Sequence, residues 1–332
     1  MLRRFYLKVL LLCSPFLLMG LTYFMFDPFM VLHPYKRFDV VGAYPNESHV
    51  GWTTYMTYRD SLKFDSYILG NSCTIAFRAE EWEKYLNGGK AVRLYDNSET
   101  IGHVLAKLEA LDKNNGIIKN VLVVLDPKSF REYVPRMDFK HVLPPEASGI
   151  STIQFQLKFL QGYLYPDIIV PYLHYKSTGE VTPYMLRKYI VCPYIIREPF
   201  TNNGINPNEK KIEEEGEKYW SKASWTVQQD AAPTTYSPEL FGEQIRCLEK
   251  IKSICDKHGA DIKIIISPHY GFYKGMNPED AKKLVDIFGD NSVYDLTLAE
   301  EYMSDMHDYY EPDHYRPVLG ARILKDIYRD IQ

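Results

Sequence analysis

The chain has 332 residues, 45% of them hydrophobic and 25% charged, which is ordinary globular composition for one large domain or two small ones. A net charge of −4 leaves no basic footprint and argues against nucleic acid as a partner. No internal repeat or low-complexity tract interrupts the sequence.

The N-terminus reads MLRRFYLKVLLLCSPFLLMGLTYFMFDPF, with Arg3, Arg4 and Lys8 ahead of an apolar run from Val9 to Phe26. At about 1.5 Å per residue that run reaches about 27 Å, enough for a bilayer core. The basic flank predicts a cytoplasmic stub over 1–8 and a bulk that lies outside the cytoplasmic membrane. A cleaved signal peptide is the competing reading. No small-residue cleavage site follows, and aromatic residues continue to Phe29, so an uncleaved single-pass signal-anchor over 9–26 is expected. Cys13 follows three leucines, unlike a lipoprotein site. On this topology Cys73, Cys192, Cys247 and Cys255 occupy an oxidising space. Cys247 and Cys255 lie about 12 Å apart along one predicted helix, too far to bridge. No Cys/His spacing suggests a metal.

Residues 27–63 are aromatic with few helix signals and are expected to wrap the domain edge irregularly. From Phe64 the chain alternates. YILG (67–70) reads as a buried strand and 74–86 as a helix with Ile75, Phe77, Trp82 and Leu86 on one side. AVRLY (91–95) is the next strand. The helix over 98–112 opens with Ser98 as a plausible N-cap, and NVLVVLD (120–126) has the near-continuous apolar character of a parallel strand covered on both faces. The alternation breaks over 130–236, which holds a helix near 152–164, many of the 27 tyrosines, and a charged run at 208–220 that reads as a solvated face. It resumes with a helix over 239–260 announced by Ser237-Pro238, a strand at 261–267, a helix at 278–289, a strand at 292–296 and a closing helix at 316–331. The prediction is an α/β domain over 64–332 with a parallel sheet and right-handed crossovers, interrupted by an insertion at 130–236.

Sites in such sheets gather at the carboxyl ends of strands, where Ser72, Asp96, Asp126 and His269 fall. A serine nucleophile needs a base, and the base a third group to orient it. Of the nine histidines, His103 sits in mid-helix and reads as packed, and His269 in SPHYGFY reads as a turn residue. His314 lies in HDYYEPDHYRP, three residues after Glu311, a spacing that lets the carboxylate reach Nδ1 and leaves Nε2 for Ser72; Asp308 and Asp313 compete for the orienting role. The bland alternative for Ser72 is a turn serine capping the next segment.

Gly70-Asn71-Ser72 after the first core strand, with acid-x-x-His near the C-terminus, resembles the SGNH/GDSL hydrolase superfamily. The match covers roughly 64–130 and 237–332. With the anchor, DPFMVL, YDNSETIG and YYEPDHYRP, the chain is similar to membrane-anchored SGNH-like proteins of bacterial surface-polysaccharide acylation systems. The resemblance implies a flavodoxin-like three-layer α/β/α sandwich in which Ser72 attacks an acyl ester, His314 is the base and Glu311 its orienter. Cys73, Asp96, Ser98 and Asp126 would line the site or its oxyanion hole, with no metal or cofactor. The implied ligand is an acylated carbohydrate or acyl donor, and related branches work beside a membrane-bound O-acyltransferase. Four departures stand out. Asn71 replaces the aspartate of Gly-Asp-Ser, Glu311 the dyad aspartate, and Cys73 a polar or basic residue. The third block offers LDPKSF, with Asp126, in place of the asparagine that serves the oxyanion hole. The backbone N–H of Ser72 or Cys73, with one near Ser98, would then carry that hole. The alternative function is a non-catalytic scaffold or binding subunit of a glycan-modifying complex.

Overall fold

The computed structural model describes residues 2–38, 42–43, 45–187, 196–226, 234–271 and 274–329; Cys192 lies outside them. Five strands form one parallel sheet: β1 (Ser66–Gly70), β2 (Ala91–Tyr95), β3 (Asn120–Leu125), β4 (Asp261–Ile266) and β5 (Val293–Asp295). Their order is β2-β1-β3-β4-β5, and β1 pairs with β2 and β3 in unbroken register from Ser66 to Gly70. Every residue of β1 and β2 is buried, as a sheet covered on both faces requires.

Alternation along the strands divides the apolar side chains between two cores. Tyr67, Leu69, Val121, Val123 and Ile264 face helices α2 (Glu47–Leu62), α4 (Ile101–Lys113), α7 (Gly242–His258) and α8 (Pro278–Phe288). Ile68, Leu122, Val124 and Ile265 face Phe77, Trp82 of α3 (Ala79–Glu83), and Leu319, Ile323 and Leu324 of α9 (Pro317–Ile327). Each such side chain taken from water stabilises by about 1.5–3 kcal/mol. Between β3 and α7 run several short elements, including α5 (Thr152–Tyr163) and α6 (Pro166–Thr178). They form a third apolar cluster with Phe29, Phe139, Phe155 and Phe159.

Helix α1 (Leu2–Phe26) is long and apolar enough to cross a membrane and is exposed along most of its length. Four local expectations change. The wrapping segment contains α2, whose N-cap Asn46 accepts the His49 N–H at 2.8 Å and donates to the Phe139 and Val142 carbonyls. Threonines and Gly51 make this a poor helix by propensity, but Trp52 and Tyr55 bury fully against the sheet and tertiary packing decides. The helix expected over 74–86 splits into a 3-10 turn, Ser72–Ala76, and α3. The backbone at Ala76 is pressed so closely by Gly320 of α9 that a Cβ there would lie 2.1 Å from the Ala76 oxygen. Ser98 is not a cap: α4 starts after Thr100, and α7 begins at Gly242, five residues beyond Ser237-Pro238, where Asp280 accepts the Glu239 and Leu240 N–H groups.

His103 is packed and 1% exposed, but because α4 starts at Ile101 it stands in the first turn and not in mid-helix. Its Nε2 accepts the Arg136 N–H at 2.9 Å, and its Nδ1 meets Thr100 Oγ1 at 3.0 Å, so the ring must stay neutral to keep both contacts. Burial, followed by the Lys107 charge, lowers its pKa to about 3. The unfolded chain binds a proton near pH 6.5 that the folded chain refuses, so stability is lost as pH falls below 6.5. At pH 5 the loss from this one group is about 2 kcal/mol. Urea titrations between pH 7 and 5 should show this fall, and His103→Gln should flatten it.

Candidate active site

The exit from β1 is fixed by backbone geometry. Gly70 has φ +130°, and a Cβ there would lie 1.9 Å from the Val124 carbonyl oxygen, a conformation and an approach open only to glycine. The Asn71 N–H donates to that same oxygen at 3.1 Å. Asn71 then caps the 3-10 turn: its Oδ1 accepts the Cys73 N–H at 3.0 Å, and its carbonyl accepts from Thr74 N–H and Oγ1–H. Its Nδ2 donates to Asp126 Oδ2 at 2.9 Å, which ties the ends of β1 and β3 together. Ser72 emerges half-buried at the first position of the turn, its Oγ 2.7 Å from His314 Nε2.

His314 arrives on an antiparallel hairpin of β6 (Tyr309–Glu311) and β7 (His314–Tyr315), in which Glu311 and His314 are cross-strand partners and Pro312-Asp313 makes the turn. His314 Nδ1 lies 2.7 Å from Glu311 Oε1. The His314 contact, working against partial burial, holds the Glu311 carboxyl below its usual range. An ionised Glu311 accepts the Nδ1–H hydrogen bond, so Nε2 carries the lone pair that faces the Ser72 hydroxyl. The two rival carboxylates are spent elsewhere: Asp308 accepts from Arg322 at 2.7 Å, and Asp313 lies 2.9 Å from His269 Nδ1.

The hairpin is held on every side. Tyr309 and Tyr315 are fully buried; the Tyr309 hydroxyl donates to the Tyr302 carbonyl at 2.6 Å, and the Tyr315 hydroxyl meets Ser267 Oγ at 3.2 Å. The run at 208–220 is not a solvated face throughout. Glu209 takes both Arg316 Nε and Nη2, at 3.0 and 2.9 Å, together with the Tyr310 hydroxyl. Burial alone would raise its carboxyl, but Arg316 and Tyr310 outweigh that and hold it low. The buried Trp220 donates Nε1–H to the Tyr309 carbonyl at 3.0 Å, and the Tyr219 hydroxyl donates to that of Tyr310 at 2.8 Å. The signal that could have found this clamp is the pair of aromatics closing a charged run.

The other expected site residues divide. Cys73 sits behind Ser72 with its thiol donating to the Asp313 carbonyl at 3.4 Å. Burial, with Asp126 next, pushes that thiol up to about 12, so it stays protonated and unreactive. Its N–H is taken by Asn71, which leaves the Ser72 N–H as the other donor of that first turn. Asp126 accepts from Asn71 and, through Oδ1, from the Ser129 N–H at 3.0 Å. Asp96 is buried and bonded to His141 Nδ1 at 3.0 Å and to the Asn97 N–H at 2.8 Å. Ser98 is exposed with φ 53°. Neither Asp96 nor Ser98 bonds to the Ser72–His314–Glu311 chain. Among the described residues no group of acidic, histidine and cysteine side chains could hold a metal ion. Comparison with family models, curated proteins and solved structures finds no match for this chain.

The Asn71–Asp126 contact makes a direct prediction. Asn71→Asp places two carboxylates in one buried site and should cost about 2 kcal/mol at pH 7. Asp126→Asn on its own should cost less, and the double exchange should recover most of the loss. Chemical unfolding of the four proteins in detergent reads this cycle.

Proposed function

We propose that this chain is an extracytoplasmic, serine-dependent acyl-ester hydrolase or O-acyltransferase of SGNH type, acting on an acylated surface glycan. The observation that carries the reading is the unbroken relay Ser72 Oγ–His314 Nε2 and His314 Nδ1–Glu311 Oε1, each contact 2.7 Å. The strand order 2-1-3-4-5 supports it, being that of flavodoxin-like α/β/α sheets. Ligands in such sheets bind where the order reverses, between the first and third strands. Ser72 follows the first strand, tied by Asn71 to Asp126 after the third. On this reading 130–236 is an insertion in the sandwich, and α1 is a single-pass anchor in the cytoplasmic membrane with residues 1–8 inside.

The chemistry follows from the relay. Ser72 Oγ attacks the acyl carbonyl carbon while its proton passes to His314 Nε2, and Glu311 stabilises the imidazolium. The oxyanion meets the Ser72 N–H. Collapse of the intermediate expels the alkoxide, which takes the proton from His314, and leaves an acyl ester on Ser72. Water or a sugar hydroxyl, deprotonated by His314, then attacks that ester and frees the serine. Transfer to a glycan, with a membrane-bound O-acyltransferase as partner, is the sense favoured by the resemblance of the motifs.

A second reading, a non-catalytic scaffold, draws on two features of the same site. The Cys73 N–H is already taken, and the third block brings the Asp126 carboxylate where the family brings an amide donor. Each missing oxyanion donor costs about 10²–10³ in rate. Treating the full chain in detergent with a fluorophosphonate and mapping the adduct separates the two. The enzyme reading expects labelling at Ser72 that His314→Ala abolishes and Glu311→Gln slows by about 10²-fold. Folded protein that stays unlabelled overturns it in favour of the scaffold.

A further inference from the structure

Helix α5 is apolar on two opposite sides. Phe155, Phe159 and Tyr163 turn inward to the cluster built on Phe29 and Phe139. Ile153 and Leu157, with the C-cap Leu164, recur at the spacing of a single helical stripe on the other side, edged by the half-buried Leu160, which also packs against the inner cluster. Of these, Ile153 is 73% and Leu157 56% exposed. Glutamines and Lys158 separate the two stripes. A helix of this kind has one apolar face more than the protein core uses.

The outer stripe is continuous with α1. Thr22 Oγ1 meets the Tyr163 hydroxyl at 3.0 Å, and the Tyr23 hydroxyl donates to Gln156 Oε1 at 2.9 Å. Tyr23 and Phe24 of α1 share with Ile153, Leu157 and Leu160 an apolar groove of about 240 Å³. With residues 1–8 on the cytoplasmic side, residues 9–26 of α1 fill a bilayer core of about 20 residues of helix. The last turn of α1 then lies at the outer edge of that core, and α5 is bonded to that turn.

We propose that the Ile153–Leu164 stripe lies in the interface of the bilayer that α1 crosses, its side chains among the outer acyl chains and Gln154, Lys158 and Gln161 at headgroup level. The occupant of the groove is lipid. The domain is then attached at two places, and α5 stops it swivelling about α1. This rests on α1 being in the membrane, and the test separates the two claims.

The full chain is reconstituted in phosphatidylcholine vesicles whose acyl chains carry bromine either near the headgroup or near the terminal methyl. Tryptophan is introduced singly as Leu18→Trp in α1, Leu157→Trp in α5, and Val318→Trp on the far face of the sheet. All three positions are exposed, so the fold is kept, and emission is read as the difference from the parent protein. The expected result is quenching at 18 and at 157, stronger at 157 with the shallow bromine, and none at 318. Quenching at 18 with position 157 behaving like 318 overturns the proposal alone and leaves the groove to a protein partner. No quenching at 18 removes the membrane reading of α1 and the proposal with it.

Discussion

A side chain at position 70 would set its Cβ 1.9 Å from the Val124 oxygen, and the site is organised around that near-contact of two backbones. Because the first and third strands meet there without an intervening side chain, Asn71 can hydrogen-bond to Val124 and at the same time reach Asp126. The turn so formed is short and fully capped, and Ser72 is its first residue. Any residue but glycine would push β1 away from β3 or reverse the turn, and the hydroxyl would no longer face the hairpin.

Asn71 and Asp126 also account jointly for two departures from the SGNH pattern. The family motif has an acid before the serine and an amide in the third block; this chain has the amide first and the acid third. In this chain the amide and the carboxylate bond to each other at 2.9 Å. What changes is the sign of the group after β3. The carboxylate after β3 helps hold the turn; under the proposed function it would repel developing negative charge.

The sheet was legible because its strands carry the apolar runs that burial on both faces demands, and the contacts of His314 with Ser72 and Glu311 were legible because the three stand at strand ends and at short spacing. The elements that were not legible owe their form to distant partners. Helix α2 has poor intrinsic propensity and exists through Trp52 and Tyr55 against the sheet. The 3-10 turn after β1 lies directly against Gly320, more than 240 residues on. Glu209 looked like one charge among many, since nothing local says that Arg316 will lie across it. Asp96, at the correct end of a correct strand, found His141 instead of the serine.

The ribbon that carries His314 also carries Glu311, opposite it in register across a two-residue turn. Base and acid are thus one rigid body, while the serine belongs to another part of the chain. A shift of the ribbon would lengthen the Ser72–His314 contact but leave the His314–Glu311 contact intact. The clamp formed by Glu209, Tyr219 and Trp220 grips that ribbon through its backbone and through Arg316. The segment between the third and fourth strands therefore bears on the distance between Ser72 and His314 without lending a single atom to either.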